Sequence, residues 1–79
     1  MKTAILGATG YTGMLLTRLL ASHPGVEQIL PVSSSKAGQP ISSRDPGFAD
    51  ERKLIRPEYL GISEMGELKP DLIFACLPH

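Results

Sequence analysis

Lys2-Thr3-Ala4-Ile5-Leu6-Gly7-Ala8-Thr9-Gly10-Tyr11-Thr12-Gly13 is a short apolar run that stops at a glycine. Two more glycines follow at three-residue intervals, and a leucine-rich helical pattern begins at once. Thr3 to Leu6 reads as a buried strand closed by Gly7. In such a turn Gly7 lets the strand bend sharply, Gly10 lets the backbone approach a phosphate, and Gly13 lets the helix pack close to the sheet. The N–H groups of Tyr11, Thr12 and Gly13 are expected to point at that phosphate, helped by the positive end of the helix dipole. A ligand-free strand-to-helix turn would use the same glycines. The strand before them and the helix after them favour the phosphate site, with Gly7, Thr9, Gly10, Tyr11, Thr12 and Gly13 as its candidates.

Outward from the turn, Leu15, Leu16, Leu19 and Leu20 recur at a spacing expected to put them on one helix face, with Thr17, Arg18 and Ser22 elsewhere. Pro24-Gly25 ends this helix after about three turns. Val26 to Ser33 reads as the second strand. Pro31 within it cannot donate to a sheet ladder, so it is expected near the strand's C-terminal end with its nitrogen facing no partner. A loop follows at Ser33-Ser34-Ser35-Lys36-Ala37-Gly38-Gln39-Pro40. Asp45-Pro46-Gly47 reads as a turn, Lys53 to Arg56 as a possible short strand, and Ser63 to Leu68 as a single helical turn. Asp71 to Leu77, apolar almost throughout, reads as a central parallel strand buried on both faces.

Strand, helix, strand, a loose segment and strand describe an α/β fold: the N-terminal half of a doubly wound, Rossmann-type parallel sheet. The strand at Asp71–Leu77 is expected beside Thr3–Leu6, on the side away from Val26–Ser33, with ligands at the strands' carboxyl ends. The 79 residues suffice for one small domain. Eight basic residues balance eight acidic ones, so no net field draws the chain to nucleic acid or to a membrane surface. No apolar run approaches the roughly 20 residues of a membrane span. Met1-Lys2 leads straight into the first strand without a secretory signal, and a single cysteine forms no internal disulfide, so the cytoplasm is the expected compartment.

About twenty residues beyond the glycines, an NAD-preferring chain carries Asp or Glu at the end of its second strand, to hold the ribose 2′-hydroxyl. Ser33-Ser34-Ser35-Lys36 stands there instead. Three hydroxyls and an ammonium suit a 2′-phosphate, although serine and lysine are also common in solvated loops. NADP is therefore the expected cofactor, with Ser34, Ser35 and Lys36 its candidate contacts. Cys76 has no basic neighbour in sequence to lower its pKa and reads as core filler. His79 falls past the last strand's carboxyl end, where a ligand contact and a solvent-exposed residue are both open readings. His23 reads as a helix-end surface residue. Tyr11 either covers the cofactor or packs on the helix. No catalytic residue and no metal site is expected among these residues.

Three pieces, in order, carry a resemblance: Gly7 to Gly13, Ser33 to Pro40, and Asp71 to Leu77 followed by Pro78-His79. Together they resemble the N-terminal part of the N-acetyl-gamma-glutamyl-phosphate reductase family of arginine biosynthesis. The glycine turn is shared with other NADP-dependent reductases, and the other two pieces narrow the choice. The resemblance implies NADPH, with the glycine turn on the pyrophosphate, Ser34, Ser35 and Lys36 near the 2′-phosphate, and Leu77, Pro78 and His79 toward the nicotinamide ribose. It also implies a catalytic cysteine and its histidine in a second domain beyond these residues; Cys76 does not match that motif. The complete enzyme would form a thioester from an acyl phosphate and reduce it with hydride from NADPH, as a homo-oligomer. Two positions depart from the family pattern: Pro31 replaces a β-former, and Lys36 stands at, or one place from, the expected basic residue. Residues 1–79 are accordingly expected to be a partial NAD(P)-binding domain, a fragment inactive alone. The alternatives are a portion of an aspartate-semialdehyde-dehydrogenase-like or saccharopine-dehydrogenase-like reductase, or an NADP-sensing module without chemistry.

Overall fold

A computed structural model describes residues 1–48 and 52–76. Its elements are β1 (Lys2–Leu6), α1 (Tyr11–Ala21), β2 (Gln28–Val32), a 3₁₀ turn (Ile41–Ser43), α2 (Ile62–Leu68) and β3 (Leu72–Ala75). The three strands form one parallel sheet in the order β2-β1-β3, as the sequence predicts. Ala4 lies opposite Leu30 of β2 and Ile73 of β3. No helix among the described residues is long and apolar enough to cross a membrane.

Side chains alternate across a strand, so the central sheet feeds two cores. Ile5 and Ile29 join Ala8, Ala21 and Tyr59 on the α1 face. Ala4, Leu30 and Val32 join Leu60 and Met65 on the α2 face. Asp71 pins the start of β3 to the start of β1: its carboxylate accepts from the Lys2 N–H at 2.8 Å, and its own N–H donates to the Lys2 carbonyl at 2.9 Å. Lys2 Nζ donates to the Leu68 carbonyl at 2.7 Å, placing a cation at the negative end of α2.

Pro31 sits as expected. Ile29 and Ser33, two residues to either side of it, donate outward to Lys53 and Leu60, so the Pro31 nitrogen also faces the outer edge of β2. There its missing N–H breaks no ladder, while its carbonyl accepts from Leu60 N–H at 2.9 Å. The segment running along that edge makes only isolated bridges, Ile29 to Leu54 and Val32 to Leu60. The short strand expected at Lys53 to Arg56 is thus one bridge and a turn. A proline in the strand it would pair with, and Pro57 just after it, leave no continuous ladder to build.

Two further expectations are corrected. The face of α1 that meets the sheet is Gly13, Thr17 and Ala21, not the leucine stripe. Leu16 and Leu20 pack only at the edge of the core, while Leu15 and Leu19 are 46% and 67% exposed. Small residues four apart let the helix lie close to the strand, and the Thr17 hydroxyl is satisfied by donating to the Gly13 carbonyl at 2.7 Å. The second correction concerns β3, which is exposed along its length. Helix α1 lies over β1 and β2, and α2 lies over β2, so the apolar side chains of Leu72, Ile73 and Phe74 are left bare.

The segment after the serine loop is fastened to α1 by Arg18 and Asp45. Arg18 Nε donates to Asp45 Oδ2 at 2.9 Å, and Nη2 donates to Oδ1. Asp45 is buried, and the hydrogen bond from Arg18 holds its carboxyl below the usual carboxylate range. Its contribution to stability is therefore present above the ordinary carboxylate pKa and is lost as pH falls through the lowered value. Asp45 also accepts from Phe48 N–H through its backbone carbonyl at 3.0 Å, forming the turn read at Asp45-Pro46-Gly47.

Candidate dinucleotide site

The site begins where β1 ends. Gly7 takes φ +75°, a conformation that a side chain makes costly by roughly 1–2 kcal/mol. The turn is then clamped to the sheet, because Ala8 N–H donates to the Val32 carbonyl at 3.0 Å. Gly10 N–H closes back on the Gly7 carbonyl at 3.1 Å, and α1 starts at the next residue.

Met14 N–H is the first amide of α1 to find a carbonyl, that of Gly10, at 2.9 Å. The amides of Tyr11, Thr12 and Gly13 have no acceptor among the described residues. Helix starts normally satisfy such donors with a capping side chain or with solvent. Here the N-cap is Gly10, which has none, and the first turn carries no acidic residue. Three amides at the positive end of a helix dipole thus find no partner among the described residues, which is the arrangement in which helix starts can bind anions.

The glycines differ in why they are glycine. A Cβ on Gly13 would come within 2.2 Å of the Gly7 carbonyl oxygen and 2.8 Å of Ala8 Cα, so Gly13 is required by packing of helix on turn. A Cβ on Gly10 would meet nothing closer than the Gly7 oxygen at 3.5 Å, an ordinary contact, and Gly10 has φ −75° and ψ 166°, which any residue adopts. Nothing among the described residues demands glycine there. A ligand lying against the backbone would.

A cleft of about 550 Å³ opens at the carboxyl ends of the three strands. Gly7, Thr9, Gly10, Tyr11 and Thr12 form one wall, and Val32, Ser33, Ser34 and Ser35 the other. The structure therefore brings the glycine turn and two of the loop candidates to one cavity. Gly13 lies beneath the turn rather than on the wall. Lys36 is not on the wall either; it is half-buried, and its N–H donates to Ser33 Oγ at 3.0 Å, which folds the loop back toward β2. Tyr11 is 80% exposed at the rim, so it does not pack on the helix. His23 is a surface residue whose Nδ1 accepts from Gly25 N–H at 2.9 Å. Leu77, Pro78 and His79 lie outside the described residues.

Leu6, Ile62 and Cys76 complete the lining and were not marked by any motif. Leu6 ends β1 and Cys76 directly follows the neighbouring β3, and strand register alone would have placed them there. Cys76 does double duty: it packs against the α1-side core, as its filler reading implies, and also borders the cleft. The described residues contain no group of His, Cys, Asp and Glu able to hold a metal ion.

The family described as semialdehyde dehydrogenase, NAD-binding domain, matches residues 2–79. Among curated relatives, the chain is 41% identical over its whole length to N-acetyl-gamma-glutamyl-phosphate reductase of Geobacter sp. (strain M21). It is 43% identical to the protein of that name from Methanosarcina mazei and 44% identical to that from Desulfotalea psychrophila, again over its whole length. The chain spans 22–23% of the length of these relatives.

Proposed function

The chain belongs to the semialdehyde dehydrogenase NAD-binding domain family, and we propose that it holds NADP for a reductase of N-acetyl-γ-glutamyl phosphate. The observation that carries the cofactor half of this reading is the trio of amides at Tyr11, Thr12 and Gly13, which find no acceptor among the described residues, in a turn whose Tyr11 and Thr12 line the cleft and whose Gly10 has room for a side chain it lacks. The donor set fits a pyrophosphate: backbone N–H groups, a helix dipole and no competing carboxylate. The substrate half rests on the relatives' names and on their likeness along the whole chain.

In this reading residues 1–79 are the partial dinucleotide-binding domain of a cytoplasmic, homo-oligomeric enzyme. When bound, the dinucleotide supplies the hydride that takes an acyl group to the aldehyde. The residues of this chain bind and orient. Gly7 and Gly10 shape the turn, Thr9, Tyr11 and Thr12 border the phosphates, and Gly13 holds α1 close enough for its amides to reach. Ser34, Ser35 and Lys36 receive the 2′-phosphate, and Leu77, Pro78 and His79 lie toward the nicotinamide ribose. The nucleophile that acts on the acyl phosphate comes from outside these residues.

NADP is preferred over NAD because the serine loop offers hydroxyls and a cation where a 2′-hydroxyl reader would need a carboxylate. Replacing Ser34, Ser35 and Lys36 together with alanine is expected to weaken NADPH at least tenfold, the worth of one charge-assisted hydrogen bond of about 1.5 kcal/mol or more. NADH is expected to change little. Fluorescence titration of both nucleotides checks this, and equal loss for both would mean that the loop does not read the 2′-phosphate.

A further inference from the structure

The sequence supplies one cation for the 2′-phosphate, Lys36, and the structure supplies another from a segment that no motif marks. Arg44 caps the 3₁₀ turn Ile41–Ser43. Its side chain reaches back to the glycine turn, where Nη2 donates to the Thr9 carbonyl oxygen at 3.4 Å. Thr9 lines the cleft. The preceding residue, Ala8, is bonded to the end of β2, so this is the part of the turn that leans toward the serine loop.

The backbone around Arg44 is held from three directions. Ile41 is buried and donates its N–H to the Pro57 carbonyl at 2.8 Å. Arg44 N–H donates to the Ile41 carbonyl at 3.1 Å, and the next residue, Asp45, is locked to Arg18 of α1. That last pairing also decides the charge. The carboxylate adjacent in sequence is committed to Arg18, and Arg44 enters no salt bridge among the described residues. Among the described residues its guanidinium makes one long contact, to a carbonyl, and most of its five N–H donors have no other acceptor there, in a fork that matches phosphate oxygens.

The pyrophosphate has its own donors in the amides of α1. The third phosphate of NADP, on the adenosine ribose, has none of these. We propose that Arg44 is a specificity-determining residue that pairs with the adenosine 2′-phosphate and selects the phosphorylated over the unphosphorylated dinucleotide. The proposal rests on the reading of the glycine turn as the pyrophosphate site.

The test titrates the full chain and its R44A and R44K variants with NADPH, NADH, 2′,5′-ADP and 5′-AMP, with thermal unfolding as a fold control. R44A is expected to weaken NADPH and 2′,5′-ADP at least tenfold and to change NADH and 5′-AMP less than twofold. R44K, which keeps the charge without the fork, is expected to recover part of the preference. R44Q, similar in length and uncharged, serves in place of R44A should that variant lose its fold. Equal weakening of NADPH and NADH would overturn the proposal, because the charge would then act on the shared pyrophosphate. Unchanged NADPH affinity in R44A would overturn it while leaving the glycine-turn reading intact. A folded parent chain that binds neither dinucleotide would overturn both.

Discussion

Replacing Gly10 with aspartate is expected to abolish dinucleotide binding, by at least 100-fold in affinity, while the protein stays folded. The fold survives because the new Cβ meets only the Gly7 oxygen at 3.5 Å, and because Gly10 occupies an ordinary extended conformation. Aspartate is moreover a favourable N-cap, able to accept hydrogen bonds from the amides of Thr12 or Gly13. It would consume the very donors assigned to the pyrophosphate and set a negative charge where two more should sit. At about 4 Å and an effective dielectric of about 20, each such repulsion is on the order of 4 kcal/mol. An unchanged or slightly raised melting temperature, together with lost NADPH binding, separates a ligand role for Gly10 from a structural one. Retained NADPH affinity in a folded G10D variant would refute the site.

Gly13→Ala is expected to do the reverse, costing about 3 kcal/mol or more of stability. By helix propensity alone this change should stabilise by about 1 kcal/mol. The added methyl would, however, lie 2.2 Å from the Gly7 oxygen and 2.8 Å from Ala8 Cα. Both are backbone atoms of a turn clamped to β2, so neither can swing away as a side-chain tip would, and α1 must lift off the sheet. A domain of this length has a total stability of roughly 4–12 kcal/mol, so the loss is a large share of it. Urea unfolding measures it. A change within about 0.5 kcal/mol of the parent would show that helix and turn are not packed as described.

These two glycines show what sequence could and could not reveal. The three-residue spacing of Gly7, Gly10 and Gly13, between an apolar run and a helical one, was enough to predict the strand, the turn and the helix. The strand order followed from chain topology. Pro31 was legible because the missing N–H of proline has a single consequence for a ladder, and its place on the outer edge of β2 meets it. The face of α1 was not legible. Periodicity marks where leucines fall, but the orientation of this helix is governed by its closest approach, at Gly13, and that puts Thr17 and Ala21 beneath it. The bareness of β3 was hidden for a related reason. An apolar run reveals what a strand is suited to contact, and burial also depends on what covers it.

The cleft itself was half legible. Gly7 to Thr12 and Ser34-Ser35 carry local signals, and they do meet at one cavity. Arg44 carries none. It arrives at Thr9 from 35 residues away because Asp45 binds Arg18, an ion pair between a loop and a helix that no local pattern announces. Lys36, the cation that sequence did mark, is turned toward β2 at its backbone and is not on the wall of the cleft.

Whether the glycine turn holds the pyrophosphate is read by following the backbone amide resonances of the chain while NADPH is added. Tyr11, Thr12 and Gly13 are expected to shift first and furthest, as their N–H groups take the pyrophosphate, with smaller shifts at Ser34 and Ser35. Saturation with NADPH that leaves those three amides unmoved, or moves a different surface instead, would contradict that placement.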